Sequence, residues 1–116
     1  MATTPKEFCD EEIEAVWQKA SIQANNNPDV YRKDYAGAWI RRSDYGLQTE
    51  YGWEIDHVRP LAQDGSHNMS NLLPLHWRNN LEKSDNFPQW TTRIISSGVH
   101  NIEGVKTWFV KPEDYA

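Results

Sequence analysis

Residues 51–86 read YGWEIDHVRPLAQDGSHNMSNLLPLHWRNNLEKSDN, and this stretch decides the fold. Side chains alternate in character from Tyr51 to Pro60, which predicts a strand that Pro60 closes. Successive side chains of a strand point to opposite faces. We therefore expect two sets on this strand, with Trp53, Ile55 and His57 on one face and Glu54, Asp56 and Val58 on the other.

A loop and a helix are predicted after this strand. The segment QDGSHN at 63–68 is rich in turn residues. Residues 75–83 have helical character, and the DNFP segment at 85–88 stops the helix. The two remaining histidines in loop segments, His67 and His100, are expected to be solvated.

The flanking segments supply further elements. Apolar residues at helical spacing predict a helix over about 10–24, with Cys9 or Asp10 as its N-cap, and the NNNPD cluster at 25–29 ends it. A short strand or turn is expected over 36–41. Candidate strands at 93–95 and 105–110 predict a C-terminal β-hairpin. The chain is thus predicted to be one small α+β domain over 1–116. The helical stripe consists of Ile13, Val16, Trp17 and Ala20.

Composition narrows the class of protein. The 116 residues carry a net charge of -5, and the acidic excess lies mainly near the N-terminus, so a broad basic surface for nucleic acid is not expected. A single cysteine, Cys9, excludes an internal disulfide and a cysteine zinc knuckle. No basic and apolar leader and no apolar span are visible, so we expect a cytoplasmic protein of bacterial or phage type without a membrane partner.

The polar residues of the central stretch stand at defined gaps. Asp56 and His57 are adjacent at the strand end, Asn71 follows 14 residues after His57, and Asn80 nine residues later. Together with Pro60, Gly65, Leu72, Leu75 and Lys83, they resemble the HNH endonucleases, the ββα-metal nucleases, in the His-Asn-Asn form. Many small members hold the motif with two Cys-x-x-Cys pairs around zinc. His76 and Asn79 stand here in the places of the second pair, so other parts of the chain must support the site.

The resemblance implies a role for each matching residue. His57 would be the general base, and Asn71 would bind the loop backbone and orient His57. Asp56 and Asn80 would hold a divalent cation, Mg2+ in the first place, with Mn2+ or another transition metal as an alternative. The implied activity is hydrolysis of phosphodiester bonds in DNA.

These residue types also suit the chemistry. Phosphodiester hydrolysis needs an activated water and compensation of the charge that grows on the phosphoryl oxygens. A neutral imidazole can accept a proton near neutral pH, and oxygen ligands are those that Mg2+ prefers. Asp56 and His57 are neighbours on a strand, so they serve one site only if the strand end is twisted or bulged.

Several further side chains are candidates for phosphate or metal contacts. His76 and Lys83 lie on the Asn80 face of the predicted helix and could touch the metal or a phosphate. An ordinary partly exposed histidine and a solvated lysine are the alternatives. Arg41, Arg42 and Arg59 are weak candidates for contacts with the nucleic-acid backbone, with a surface role without function as the alternative.

Other functions remain open on the sequence. The same scaffold could serve as a non-catalytic module that binds nucleic acid or protein, or as a nuclease toxin or effector domain. The acidic pI suggests delivery or regulation by a protein partner. Glu54 and Asp56 share a strand face, as a paired-carboxylate sugar hydrolase would need, but only the tryptophan content adds to that interpretation.

Overall fold

The structure, a computed structural model, describes residues 8–115 and has the expected α+β composition. Every paired set of strands in this part of the chain is a two-stranded antiparallel sheet. No helix in the same range has the length and apolar character needed to cross a membrane. The helices and strands are, in chain order, α1 Asp10–Trp17, β1 Tyr31–Lys33, β2 Trp39–Arg41, β3 Trp53–His57, β4 Leu72–His76, α2 Trp77–Lys83, β5 Gln89–Thr91, β6 Ile94–Ser97, β7 His100–Glu103, β8 Thr107–Phe109 and α3 Pro112–Tyr115.

The first helix is shorter than predicted. It begins after the N-cap Cys9 and ends at Trp17, whereas the apolar stripe predicted a helix to about residue 24. The buried Arg32 guanidinium binds the carbonyl oxygens of Gln18 and Ala20 at 3.2 and 3.3 Å. Ser21 then pairs with Lys33 beside β1. Contacts with a distant strand therefore satisfy the backbone groups that a longer helix would have used.

The centre of the fold is the hairpin β3–β4 followed directly by α2. Trp53 pairs with His76 and His57 with Leu72, so the register spans both strands completely. Leu75, which we expected at the start of the helix, is buried in β4 opposite Glu54. Helix α2 begins at Trp77 and ends at Lys83. The order is thus strand, strand, helix.

The C-terminal hairpin is paired differently from the prediction. Strand β6 turns back through Gly98 into β7, and these two strands pair with each other. The strand at 107–109 instead pairs with β5, a strand that the sequence did not indicate. The predicted hairpin between 93–95 and 105–110 is therefore wrong. The pairing of β8 is non-local, and a local turn pattern carries no information about it.

Two apolar clusters of buried residues lie in the fold. One joins α1 to the hairpin, with Trp17 against Trp53 at a centroid distance of 5.4 Å. The other, around Val58, Leu75 and Trp90, also receives Ala36 and Val110 from distant parts of the chain. Strand β3 contributes Trp53 and Ile55 to the first cluster, and β4 contributes Leu72 to the first and Leu75 to the second.

A buried polar network positions the start of α2. The Asp34 carboxylate accepts hydrogen bonds from the amides of Ala36, Ala38 and His76 at 2.7–3.0 Å. The Asn79 amide donates to the same carboxylate at 3.3 Å and accepts from two backbone N–H groups at the start of β6. Because these polar groups are buried and mutually satisfied, they hold α2 to the β1–β2 turn and to β6.

Candidate active site

The site is built around the end of β3, where side chains leave the strand on opposite faces. Trp53 and Ile55 pack toward α1. Glu54 and Asp56 contact side chains of α2 instead. The predicted assignment of side chains to the two faces is therefore confirmed for these four residues, and it places Asp56 and His57 on different sides of the strand.

The His57 side chain contacts aromatic rings on its face of the strand. Its Nε2 lies 3.0 Å from Nδ1 of His67, and its ring centroid lies 6.1 Å from that of Phe8. His67 is exposed, as expected, and it also makes this contact with His57. The loop folds back and brings its side chain to the end of β3.

Asn71 closes this loop. Its buried amide donates to the carbonyls of Arg59 and Ser66 at 3.0 and 2.7 Å and accepts from the Arg59 amide at 2.8 Å. At Gly65 the chain approaches so closely that a Cβ would lie 1.7 Å from the Arg59 carbonyl oxygen. The loop therefore has both ends tied to one side chain, and it needs glycine at this contact.

Asp56 forms a triad with Tyr35, in the turn between β1 and β2, and with Lys83, at the end of α2; Asp56 and Lys83 are buried. The Tyr35 hydroxyl donates to Oδ2 at 2.9 Å, and the Lys83 ammonium lies 3.3 Å from Oδ1. Lys83 is fully buried and also donates to the His57 carbonyl at 3.2 Å. Burial, together with the negative charge of Asp56, raises the pKa of Tyr35 well above its usual value, so this hydroxyl stays a donor.

The other predicted metal ligand has a different partner. Asn80 donates to Glu54 Oε1 at 2.9 Å, and both side chains are partly exposed. Asp56 and Asn80 thus lie on the same side of β3, but each contacts its own neighbour. Within residues 8–115, no three His, Cys, Asp or Glu side chains cluster as potential metal ligands.

The family of this segment follows from a comparison with known protein families. The family model described as HNH endonuclease matches residues 43–86. Residues 43–86 belong to the HNH endonuclease family. The match covers β3, β4 and α2 with the loop between them, and it indicates nuclease activity in general. Neither the curated proteins nor the solved structures gave a match to this chain.

The HNH segment has hydrogen bonds where related domains carry the second cysteine pair of a zinc knuckle. His76 is buried, its Nε2 lies 2.8 Å from the Glu50 carbonyl, and its Nδ1 accepts from the Arg78 amide at 3.1 Å. Asn79 belongs to the Asp34 network. Both ring nitrogens of His76 are therefore engaged by backbone groups.

The neutral state of His76 makes the HNH segment sensitive to acid. Burial lowers the pKa of His76 below its ordinary value of 6.5. Since the unfolded chain then binds a proton more readily, this group's stabilisation is present above pH 6.5 and is lost as the pH falls. We expect the free energy of unfolding to fall by up to about 1.4 kcal/mol per pH unit from this group.

Urea unfolding between pH 7.5 and 5 measures this dependence. His76→Asn keeps a side-chain oxygen that can cap α2 but cannot titrate, so we expect the loss of stability on acidification to be smaller than in the wild type. Burial raises the pKa of Asp34 to about 6, and this carboxyl contributes in the opposite direction over the same range in both proteins. The matched control is His100→Asn, which removes an exposed histidine and should leave the profile unchanged. A wild-type profile in the His76→Asn variant would contradict the assignment.

The three arginines predicted to touch nucleic acid have different surroundings. Arg42 pairs with Glu14 at 3.0 Å. Arg59 donates to the Gln63 carbonyl at 2.7 Å and lies over the Phe87 ring. Arg41 is exposed on β2, with its guanidinium 5.8 Å from the Tyr31 ring centroid. Within the described residues, only Arg41 of the three has no hydrogen bond from its guanidinium.

Three residues of the site were not predicted from the sequence: Tyr35, Glu54 as the partner of Asn80, and His67. Tyr35 lies outside the HNH segment, and no spacing rule connects it to Asp56. Glu54 shares its strand face with Asp56, so the alternation along β3 was enough to place the two side chains on the same side of the strand. The expected closure of the loop by Asn71 could have indicated that His67 lies near His57.

Proposed function

We propose that this chain hydrolyses phosphodiester bonds in DNA with the help of a divalent cation. The observation that carries the proposal is the placement of His57 at the end of β3, in an HNH segment whose loop Asn71 closes. Bond cleavage by water requires a base at a fixed position, and the ordered loop provides that position.

His57 acts in this proposal as the general base, and His67 sets its tautomer. Nε2 of His57 and Nδ1 of His67 are 3.0 Å apart, so one nitrogen donates a hydrogen bond to the other. In this proposal His57 is the donor, its lone pair resides on Nδ1, and that nitrogen would accept the proton of the attacking water. His67 is thus a positioning residue in this reaction.

The oxygen donors between β3 and α2 suit a hard dication. Asp56 and Asn80 would hold it, with Glu54 as a third oxygen donor close to Asn80. The bound cation would neutralise charge that grows on the phosphoryl oxygens. Because the Lys83 ammonium already lies against Asp56, a dication competes with a positive charge there. We therefore propose weak, oxygen-rich binding of Mg2+ or Mn2+, without a structural zinc.

Plasmid cleavage in Mg2+, in Mn2+ and in EDTA tests the proposed function. We expect cleavage with either metal and none in EDTA. Asn80→Ala should raise the metal concentration for half-maximal cleavage, and Asp56→Asn should raise it further, because a carboxylate binds a dication by its charge. The matched control, Asp64→Asn, removes an exposed loop carboxylate that the proposal does not use.

Two outcomes would contradict this proposal in different ways. Equal cleavage in EDTA would remove the cation from the reaction. An Asn80→Ala variant with the metal dependence of the wild type would place the second ligand elsewhere. A parallel assay with an RNA of the same sequence decides between DNA and RNA, and preferential cleavage of RNA would overturn the proposed substrate.

A further inference from the structure

An aromatic cavity lies at the β1–β2 hairpin, and none of the residues that line it belongs to β3. Its volume is about 170 Å³, below the ~300 Å³ at which sites for drug-sized ligands begin, so it has room for a single planar ring. The side chains around it are Asn26, Tyr31, Trp39, Tyr51 and Val99.

The hairpin register places aromatic and cationic side chains on one face. Tyr31 pairs with Arg41 and Lys33 with Trp39, and residues two apart on a strand share a face. Arg41 lies 5.8 Å from the Tyr31 ring centroid, and the Lys33 ammonium lies 5.0 Å from that of Trp39. Two aromatic rings of the cavity wall therefore each have a cationic side chain next to them.

The aromatic walls are held in place by other parts of the chain. The Trp39 indole donates to the Gly98 carbonyl at 2.8 Å, and the Asn101 side chain bonds both backbone groups of Trp39. Tyr51 meets Tyr31 edge to face at 5.4 Å. A preordered aromatic wall lowers the entropic cost of stacking a ligand ring against it.

The flanking charges decide which ligand suits the cavity. Three aromatic rings can also enclose a quaternary ammonium group, but Lys33 and Arg41 would repel a cation. A nucleotide combines a planar ring with an anionic phosphate, which these two cations attract. The Glu50 side chain hydrogen-bonds that of Tyr51, so one acidic side chain stands against the two cations Lys33 and Arg41.

We propose that this cavity binds an unpaired nucleobase of a nucleic-acid strand, with Arg41 and Lys33 contacting the adjacent phosphates. The inference rests on the proposed function only in so far as the ligand is a nucleic acid. It adds a substrate class, because strands with unpaired bases can enter this cavity and a fully paired duplex cannot present a base to it.

Fluorescence anisotropy in EDTA tests the inference without any cleavage. The probes are a labelled oligothymidylate and a strand of equal length with abasic sugars, which has the same phosphate charge and no bases. We expect the wild type to bind oligothymidylate about fivefold or more tightly than the abasic strand, since stacking on an aromatic ring strengthens binding of each base. Tyr51→Leu should remove this preference, whereas Phe109→Leu, at an exposed ring outside the cavity, should retain it.

Charge variants separate the phosphate contact from stacking. Arg41→Gln should weaken both strands and lower the slope of log affinity against log salt by about 0.7. Arg42→Gln removes the same charge one residue along, where the guanidinium is paired with Glu14, and should have the smaller effect. The thermal unfolding midpoint of each variant shows whether it is folded.

Three results would overturn the inference. The first is equal affinity of the wild type for the two strands, and the second is an unchanged preference in folded Tyr51→Leu. The third is displacement of oligothymidylate by tetramethylammonium at an ionic strength at which sodium ions do not displace it. The first comparison needs no variant.

If the chain cleaves nothing with any metal but still prefers oligothymidylate, the proposed function fails and the nucleobase site stands. If it cleaves DNA but shows no such preference, the nucleobase site fails and the proposed function stands.

Discussion

Replacing His57 by alanine is expected to lower the rate of plasmid cleavage by about 10²–10⁴-fold, because general base catalysis contributes a factor of this size. The side chain is not part of the Tyr35–Asp56–Lys83 triad, so binding of Mg2+ should persist. The measurement is the initial rate of supercoiled plasmid loss at saturating metal, with calorimetry to follow metal binding. Cleavage at the wild-type rate would remove the proposed role of His57.

The contribution of His67 is expected to be smaller. Loss of its hydrogen bond should lower the turnover rate by about two- to tenfold, the effect of one net hydrogen bond. The ¹⁵N chemical shifts of the His57 ring report its tautomer directly. His67→Ala should change the ratio of tautomers, and His100→Ala should not. An unchanged ratio would show that His67 does not position the base.

Replacing Lys83 by methionine is expected to destabilise the fold by about 3–5 kcal/mol, because the buried Asp56 carboxylate would lose its cation. Chemical denaturation at pH 7 measures this change. The matched control is Lys106→Met at an exposed position, where we expect a change within about 0.5 kcal/mol.

A double variant separates charge pairing from packing. When Asp56→Asn is combined with Lys83→Met, the buried pair is removed together, and much of the lost stability should return. Additive losses in the double variant would show that the Lys83 ammonium stabilises the fold independently of Asp56, through its hydrogen bond to the His57 carbonyl.

The local pattern around β3 could be predicted from the sequence because it depends on short-range geometry. Alternation assigned Glu54 and Asp56 to the same face, whereas the closure of the loop by Asn71 was implied by the resemblance to HNH endonucleases. The end of α1 could not be predicted in this way, because Arg32 takes up the carbonyl groups beyond Trp17.

In the candidate site, too, local geometry could be predicted from the sequence but tertiary contacts could not. The Asp56 carboxylate is satisfied by Tyr35 and Lys83, which are 21 and 27 positions away in the sequence, and neither contact follows from a periodicity. Strand β8 pairs with β5 across the intervening hairpin for a similar reason. Tertiary contacts of this kind also decide whether a polar residue is buried, and spacing carries little information about them.

Because Asn71 closes its loop in the free protein, the loop loses backbone entropy when the chain folds and not when a ligand binds. Its Arg59 and Gly65 amides donate to Asn71 Oδ1 and to the Pro60 carbonyl without any ligand. Ordering a residue costs about 1–2 kcal/mol of backbone entropy, and here that cost falls on folding rather than on substrate capture. These amides should therefore exchange slowly with deuterium in the free protein, and addition of nucleic acid should slow them little further.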